Sequence, residues 1–159
     1  MISPPADDVV IIADRSRAGK ILCSPAQCAT ISHLVSIGGP MERVPAGFRN
    51  IASRIRLVFE DVATQEDGGA SPDDVEHLVR FARRLNLRDG RVLVHCQSGI
   101  SRSSAAAAII VAVALGPGRE REAIEYVRRV HPGARPNKRM LELADALLGA
   151  EGRLAAGTA

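Results

Sequence analysis

Cysteine and histidine are scarce in this chain, which has three cysteines and four histidines among 159 residues. Cys23, Cys28 and Cys96 form neither an even disulfide set nor a CxxC pair, and the histidines lack zinc-finger spacing. We therefore expect reduced thiols, no bound metal and no cofactor. Cys23 and Cys28 are expected to be small core residues, and the alternative is a redox partnership with Cys96.

Long apolar runs are missing as well. No segment reaches the roughly 20 residues that span a membrane, and the N-terminus lacks the basic and apolar regions of a signal peptide. We expect a cytoplasmic protein without a membrane anchor. The length and a hydrophobic content of 46% predict a single domain over residues 1–159, with a tail from about 150 to 159 that is small and polar enough to fray.

Lysine is nearly absent. Only Lys20 and Lys138 occur among the 21 basic residues, and all the others are arginine. Arginine binds planar anions such as phosphate through a fixed fork of donors, which fits an anionic ligand, although a GC-rich genome produces the same bias. The net charge of +3 therefore selects no class of partner by itself, and we expect no nucleic-acid partner.

Short apolar runs alternate with amphipathic segments along the chain. Strands are predicted at residues 8–13, 33–37, 55–59 and 91–95. Helices are predicted at residues 26–32, 74–86, 101–115, 119–130 and 136–148, with a turn at 14–19 and a surface loop at 40–53. This order predicts an α/β fold with a single central, mostly parallel sheet flanked by helices and a helical C-terminal part.

The stretch VLVHCQSGISRSS, residues 92–104, combines a buried strand, a glycine-containing loop and the start of a helix. The expected phosphate-binding groups are the backbone N–H groups of Gln97, Ser98, Gly99, Ile100, Ser101 and Arg102. These groups can point toward one centre, with a helix N-terminus behind them, and so bind an anion. Gly99 is expected to let the backbone turn tightly and approach the ligand.

Four residues of this stretch have separate expected roles. Cys96 is the candidate nucleophile, because the positive loop stabilises a thiolate, and Arg102 can bind two phosphate oxygens at once. Ser103 can donate a hydrogen bond to the Cys96 sulfur and stabilise it as a leaving group. His95 is expected to orient the loop by hydrogen bonding rather than to act as an acid or base.

A general acid should face this loop, because an alkoxide or phenoxide leaves more easily when it is protonated. Asp61 is the favoured candidate, since it follows the predicted strand at residues 55–59 and so lies at the carboxyl edge of the sheet. Asp67, in the flexible segment QEDGG, is the rival, and Glu60 is a third candidate.

Residues 95–103 match the HCxxGxxRS loop of the cysteine-dependent protein tyrosine phosphatases and most resemble their compact dual-specificity branch. The resemblance implies a phosphatase-like fold and a phosphocysteine intermediate on Cys96. It also implies that Arg102 binds the phosphoryl group, and that Asp61 protonates the leaving group and then activates water. A cysteine and an arginine at this spacing alone are a weak signal, but His95, Gly99 and Ser103 make the match specific.

A second segment, Arg135-Pro136-Asn137, is similar to the proline-asparagine segment that braces the loop in dual-specificity members. Asn137 either contacts the active-site loop or caps the last helix. The resemblance predicts a protein phosphatase that acts on phosphotyrosine, with phosphoserine and phosphothreonine as further candidates, so the expected partner is a phosphorylated protein. The chain has one tyrosine, three phenylalanines and no tryptophan, so a slot lined by aromatic rings is not evident.

Three alternative functions are compatible with this sequence. A noncatalytic phosphate-binding module would use the same loop to recognise a phosphorylated partner. A phosphoinositide phosphatase would apply the same chemistry to a lipid headgroup. A rhodanese-like sulfurtransferase also carries its cysteine in a loop of this kind. The sequence predicts neither the physiological substrate nor the oligomeric state.

Overall fold

The computed structural model describes residues 2–158 and contains one sheet of four strands, all parallel to their neighbours. The strands are β1 (Val10–Ala13), β2 (Ile31–Gly38), β3 (Arg54–Val58) and β4 (Arg91–His95), and their order across the sheet is β1-β4-β2-β3. The predicted α/β fold with a parallel sheet is therefore confirmed.

The helices cover both faces of the sheet. They are α1 (Arg15–Cys23), α2 (Pro25–Cys28), α3 (Pro72–Arg84), α4 (Arg102–Leu115), α5 (Glu120–Val130), α6 (Lys138–Leu148) and α7 (Arg153–Ala156), and a 3-10 turn covers Phe48–Asn50. None of the helices formed by residues 2–158 combines the length and the apolar character needed to cross a membrane.

The pleat of the central strand divides the core into two hydrophobic clusters. In β4, Val92 and Val94 belong to the larger cluster with α3 to α6, whereas Leu93 belongs to the smaller cluster under α1. Successive strand residues point to opposite faces, so a run that is apolar throughout must be covered on both sides. All three side chains are fully buried, and burial of each contributes roughly 1.5–3 kcal/mol relative to exposure.

Helix α4 is the most deeply buried helix, with twelve of its fourteen residues buried. Its alanines, Ala105 to Ala108, have small side chains that allow close contact with β4, α3, α5 and α6. Helix α3 shows the predicted start signal, because Ser71 Oγ accepts a hydrogen bond from Asp74 N at 3.2 Å and the Asp74 carboxylate accepts one from Ser71 N at 2.8 Å. These two helices match their sequence patterns closely.

Helix α1 was not expected from the sequence, which predicted a turn at residues 14–19. That prediction is wrong. Asp14 caps helix α1 by accepting a hydrogen bond from Arg17 N at 2.6 Å. Gly19 lies inside the helix, where a Cβ would be 3.4 Å from Ala46 N, so this side of the helix is in van der Waals contact with the loop at 40–53. Helix α2 is shorter than predicted, and β2 begins at Ile31 instead of His33.

The C-terminal tail also differs from expectation. Residues 153–156 form α7, with Leu154 fully buried in the larger cluster. The buried carboxylate of Asp145 accepts hydrogen bonds from Leu154 N at 2.9 Å and Ala155 N at 3.0 Å, and Arg153 pairs with the buried Glu120 at 3.0 Å. A side chain of the preceding helix therefore fixes a segment that its own composition predicts to fray.

Two of the three cysteines lie far from the stretch at residues 92–104. Cys23 is exposed at the end of α1, contrary to the prediction of a core position, and Cys28 is half-buried against the smaller cluster. Cys28 precedes the start of β2, whereas Cys96 follows the end of β4. Since these strands are parallel, the two thiols lie at opposite edges of the sheet, which removes Cys28 as a direct redox partner of Cys96.

Candidate active site

The loop between β4 and α4 surrounds the sulfur of Cys96, which lies at the buried base of the loop with 1% of the residue exposed. Gly99 N donates a hydrogen bond to Cys96 Sγ at 3.2 Å, and Ser103 Oγ lies 3.1 Å from the sulfur. The predicted contact between Ser103 and Cys96 is therefore present. An N–H donor and a hydroxyl therefore both lie within hydrogen-bond distance of the sulfur.

Gly99 is required by its surroundings as well as by its backbone conformation. Its φ is +71°, in the left-handed region that other residues avoid. A Cβ at this position would lie 2.6 Å from Asp14 N and 2.7 Å from the carbonyl carbon of Ala13. Gly99 is thus packed against the junction of β1 and α1. The sequence had suggested only that glycine lets the backbone turn tightly and approach a ligand.

Backbone hydrogen bonds hold the loop on two sides. Arg15 N, in the first turn of α1, donates to the Gln97 carbonyl at 3.3 Å. On the other side, Arg135 N donates to the Ile100 carbonyl at 2.9 Å, and Asn137 N donates to the Ser101 carbonyl at 3.0 Å. The side chains of Gln97, Ser98 and Ile100 remain exposed. The loop is therefore fixed through its carbonyl groups, which leaves its N–H groups, other than that of Gly99, for a ligand.

Arg102 begins α4 and has 5% of its surface exposed. One terminal nitrogen, Nη1, donates to the Phe59 carbonyl at 2.8 Å and pairs with Glu42 Oε1 at 3.0 Å. The buried Nε atom has no hydrogen-bond partner among residues 2–158. A buried N–H without an acceptor is costly, so this side of the guanidinium is arranged to receive an acceptor that the chain itself does not supply.

Glu42 contacts the candidate site but was not predicted from the sequence, because it lies in the aperiodic loop at residues 40–53. Its Oε1 atom accepts a hydrogen bond from Gly39 N at 2.6 Å in addition to the pair with Arg102. Desolvation raises the pKa of Glu42, but the Gly39 N–H and Arg102 outweigh it, so the net pKa is below the ordinary value. Glu42 therefore remains a carboxylate and orients Arg102.

His95 is fully buried behind Cys96. Burial lowers the pKa of His95 to about 4, despite the opposing effect of its hydrogen bond to Cys96 O, so the imidazole is neutral near pH 7. Its Nδ1 lies 3.2 Å from the Cys96 carbonyl oxygen, and its Nε2 lies 2.6 Å from Ser36 Oγ. Because a carbonyl only accepts, Nδ1–H is the donor and Nε2 accepts from the Ser36 hydroxyl. This geometry fits an orienting role.

The three candidate acids differ in where their carboxylates lie. Asp61 Oδ1 accepts hydrogen bonds from Ser101 Oγ at 2.6 Å and from Asn137 Nδ2 at 2.8 Å. Asp67 instead accepts from Thr64 within its own loop at 2.8 Å, and the Glu60 carboxylate lies against Gly39. Among the three, Asp61 is the carboxylate that hydrogen-bonds to the Cys96–Arg102 loop, and both donors meet Oδ1, which leaves Oδ2 for a proton.

Of the two alternatives for Asn137, the side chain caps the last helix, and the contact with the active-site loop is made by the backbone N–H. Its side-chain oxygen accepts a hydrogen bond from Met140 N at 3.0 Å and so caps α6. Its side-chain nitrogen donates to Asp61 Oδ1 and, at 3.3 Å, to the Val62 carbonyl. One amide therefore joins the start of α6 to the segment that carries Asp61.

Comparison with known proteins identifies the fold. No protein-family profile and no curated protein matches this sequence. Human tyrosine phosphatase-like serine/threonine/tyrosine-interacting protein superposes with a TM-score of 0.71 and 21% identity, over 90% of this chain and 93% of that chain. A mouse dual-specificity phosphatase solved with zinc tungstate superposes with a TM-score of 0.63 and 20% identity, over 97% and 92%.

A further solved structure, PTPMT1 in complex with PI(5)P, superposes with a TM-score of 0.65 and 16% identity, over 96% of both chains. Identities at this level show a shared fold. The chain has the compact fold of the dual-specificity branch of the cysteine-dependent phosphatases, as its loop and strand pattern predicted.

Proposed function

We propose that this chain is a single cysteine-dependent phosphatase domain that hydrolyses phosphate monoesters on proteins, with phosphotyrosine as the favoured substrate. The observation that carries the proposal is the unpartnered, buried Nε of Arg102 in the loop that also surrounds the Cys96 sulfur. A phosphoryl group above the sulfur would supply the missing acceptor. Phosphoserine and phosphothreonine are further candidate substrates, because the chemistry at phosphorus is the same.

In the first step, the Cys96 thiolate attacks phosphorus while the bond to the ester oxygen breaks. Arg102 and the loop N–H groups hold the non-bridging oxygens as their charge changes in the transition state. Asp61, protonated on Oδ2, transfers its proton to the departing oxygen. The products are a phosphocysteine and a neutral alcohol or phenol.

In the second step, the Asp61 carboxylate removes a proton from water, which attacks the phosphocysteine. The bond between sulfur and phosphorus breaks, inorganic phosphate leaves and the sulfur again carries the charge. Ser103 and Gly99 N stabilise that thiolate as it forms, since both lie within hydrogen-bond distance of the sulfur. Asp61 is protonated again and the enzyme is restored.

Hydrolysis of para-nitrophenyl phosphate in the presence of EDTA tests the proposal. We expect turnover without added metal, inhibition by vanadate and complete loss of turnover in Cys96→Ser. Rapid quenching during turnover should yield a phosphocysteine that mass spectrometry assigns to residue 96. Cys23→Ser is the matched control and should retain activity, because this thiol is exposed at the end of α1.

Turnover that survives in Cys96→Ser would contradict the covalent mechanism. Phosphate binding without any release of nitrophenol would favour the noncatalytic phosphate-binding module. Turnover of thiosulfate without phosphatase activity would favour the sulfurtransferase.

A phosphoinositide is the second candidate substrate class. It is favoured by Arg15 and Arg135, whose backbone N–H groups contact the loop on either side and whose side chains form no salt bridge with carboxylates of the described chain. Two unpaired cations beside the loop suit a ligand with several phosphates. PTPMT1, which shares the fold, has been solved with PI(5)P.

Side-by-side assays of phosphotyrosyl peptides, phosphothreonyl peptides and phosphoinositides separate these classes. The proposal expects the highest kcat/KM on phosphotyrosyl peptides. A higher kcat/KM on a phosphoinositide would favour a lipid headgroup as the substrate. In that case Arg15→Ala and Arg135→Ala should lower kcat/KM on the phosphoinositide more than on the peptides.

A further inference from the structure

Arg56 on β3 is a half-buried arginine whose guanidinium joins two different parts of the site. Its Nη1 donates to Ser36 Oγ at 2.9 Å, and its Nη2 donates to the Glu42 carbonyl at 2.7 Å. Ser36 stands on β2, whereas Glu42 lies in the loop that follows β2. One planar group thus fixes a strand and a loop at the same time, which its rigid fork of donors allows.

The first branch from Arg56 leads to the nucleophile. Ser36 Oγ accepts from Arg56, and its own hydroxyl proton is donated to His95 Nε2 at 2.6 Å. His95 Nδ1–H then donates to the Cys96 carbonyl oxygen at 3.2 Å. Ser36 and His95 are fully buried, so water does not compete for these hydrogen bonds. The direction of donation is consistent along the whole branch.

The second branch leads to the phosphate-binding arginine. Arg56 holds the main chain of Glu42, and the Glu42 carboxylate is held in turn by Gly39 N at 2.6 Å. That carboxylate pairs with Arg102 Nη1 at 3.0 Å. The Glu42 pair and the Phe59 carbonyl together occupy the Nη1 side of Arg102, so the unpartnered Nε is left facing away from them.

Gly38, the last residue of β2, leaves the space that Arg56 occupies. A Cβ at Gly38 would overlap Arg56 Nη2 and would lie 3.0 Å from Arg56 Cζ. The φ of Gly38 does not lie in the left-handed region, so a larger residue here would act through the space that it takes from Arg56 and not through the backbone. A side chain at position 38 would therefore displace the guanidinium from its present position.

Stability alone does not account for Arg56. It forms no salt bridge within residues 2–158, since its two partners are a hydroxyl and a carbonyl. Burial lowers the pKa of Arg56, Glu42 opposes this and the nearby Arg102 adds to it. A half-buried cation beside another buried cation costs free energy, and such a cost is retained where the group serves the site.

We propose that Arg56 is a positioning residue that couples Cys96 and Arg102, the two ends of the phosphate-binding loop. Through Ser36 and His95 it fixes the backbone at Cys96, and through Glu42 it fixes the guanidinium of Arg102. This inference rests on the proposed phosphatase function, but neither of the measurements below requires turnover. We therefore expect removal of Arg56 to change both the reactivity of Cys96 and the affinity for phosphate. Removal of the Ser36 hydroxyl or of the Glu42 charge should change only one of these properties.

Two readouts distinguish the branches. The first is the rate at which iodoacetamide alkylates Cys96 as a function of pH, measured with Cys23→Ala and Cys28→Ala present so that a single thiol reacts. The second is the Kd of inorganic phosphate, measured by calorimetry in the Cys96→Ser variant. The first reports the ionisation and accessibility of the sulfur. The second reports the anion-binding groups alone.

We expect Arg56→Met to slow alkylation at neutral pH roughly tenfold, with the pH profile displaced to higher pH, and to raise the phosphate Kd roughly tenfold. Ser36→Ala should reproduce the first effect without the second, and Glu42→Gln the second without the first. Arg56→Met combined with Ser36→Ala should slow alkylation no more than Arg56→Met alone, because the two residues act in one branch. Arg56→Lys should restore part of both properties.

Arg54→Met is the matched control. Arg54 lies two residues earlier on β3, where its guanidinium stacks over Phe48 at 5.1 Å and donates to the Ile51 carbonyl. Neither readout should change in this variant. If Arg56→Met does not fold, Gly38→Ala provides the test, because it displaces the guanidinium and retains the charge.

The coupling is contradicted if Arg56→Met, or Gly38→Ala in its place, changes only one readout or changes neither. It is also contradicted if Arg54→Met has the same effects, since the loss would then follow from any change on β3. A wild-type chain that hydrolyses no aryl phosphate overturns the proposed function, and the alkylation and phosphate-binding results still decide the coupling.

Discussion

Two segments meet at the candidate site, and they are held in different ways. The loop from Cys96 to Arg102 is buried at both ends and is fixed by α1, by the start of α6 and by the Glu42 loop. The segment from Glu60 to Ala70 is mostly exposed, and Asp61 is held by side-chain hydrogen bonds from Ser101 of the loop and from Asn137 at the start of α6. The core therefore positions the proposed nucleophile, whereas a few surface contacts position the proposed acid.

This difference predicts where changes will act. A change in the buried loop alters stability and chemistry together, because the same groups serve both. A change at the exposed segment alters the position of the acid with little effect on the fold. The four predictions below test this contrast, beginning with the largest effect.

Asp61→Asn should lower kcat for para-nitrophenyl phosphate by roughly 10²–10⁴-fold, because the transition state loses its proton donor. KM should change little, since the asparagine side-chain oxygen can still accept from Ser101 and Asn137. Thermal unfolding should remain close to that of the wild type. Asp67→Asn is the control and should retain kcat, because its carboxylate contacts Thr64 within its own loop. The reverse pattern would identify Asp67 as the acid.

His95 should make the free energy of unfolding depend on pH. The unfolded histidine titrates near 6.5, whereas burial lowers the pKa of folded His95 to about 4. The unfolded chain therefore binds a proton first as the pH falls. The contribution to stability is fully present above pH 6.5 and is lost as the pH falls to about 4, with a total near 3 kcal/mol.

Urea denaturation across this pH range measures the dependence. His95→Gln should show a flatter profile between pH 6.5 and 4, and His77→Gln, which changes a histidine on the partly exposed face of α3, is the comparison variant. An unchanged slope in His95→Gln would show that other groups cause the acid sensitivity.

Asn137→Ala should lower kcat roughly tenfold and the free energy of unfolding by about 1 kcal/mol, because it removes a contact to Asp61 and the cap of α6. Asn137→Ser separates the two roles. Serine can still accept from Met140 N, so stability should return toward the wild type while kcat stays low. Equal recovery of both properties would mean that the cap alone matters.

Ser101→Ala should give the smallest effect, a decrease in kcat of roughly fivefold, because one of the two hydrogen bonds to Asp61 is lost. The loop backbone keeps its bond from Asn137 N to Ser101 O, so the phosphate Kd should not change. Ser98→Ala, at an exposed position of the same loop, is the matched control. A weaker phosphate affinity in Ser101→Ala would assign its hydroxyl to the ligand instead.

The sequence predicted the parts of the site that are contiguous in the chain. The strand, loop and helix around Cys96 have strong local patterns, and their arrangement follows from those patterns. Glu42 and Ser36 were missed because their roles come from tertiary contacts with Arg102 and His95. A serine inside the apolar run at 34–37 was an available signal, because a buried hydroxyl needs a partner.

The misassigned segments have the same explanation. The turn predicted at residues 14–19 contains a glycine and several polar residues, yet it belongs to a helix whose apolar residues are buried in the smaller cluster together with the distant Ile51 and Leu93. The tail is ordered by Asp145, eight or more residues earlier, whose capping role has no local signature. In each case a distant group decides a conformation that local composition leaves open.

The burial of α4 has a further consequence for ligand binding. Because the core holds Arg102 and Ser103 at the first turn of this helix, the loop before it is ordered before any phosphate arrives. Most of the conformational entropy of the loop is therefore lost when the protein folds and not when it binds. An anion meets donors that are already aligned, and little of its binding free energy is consumed in ordering the chain.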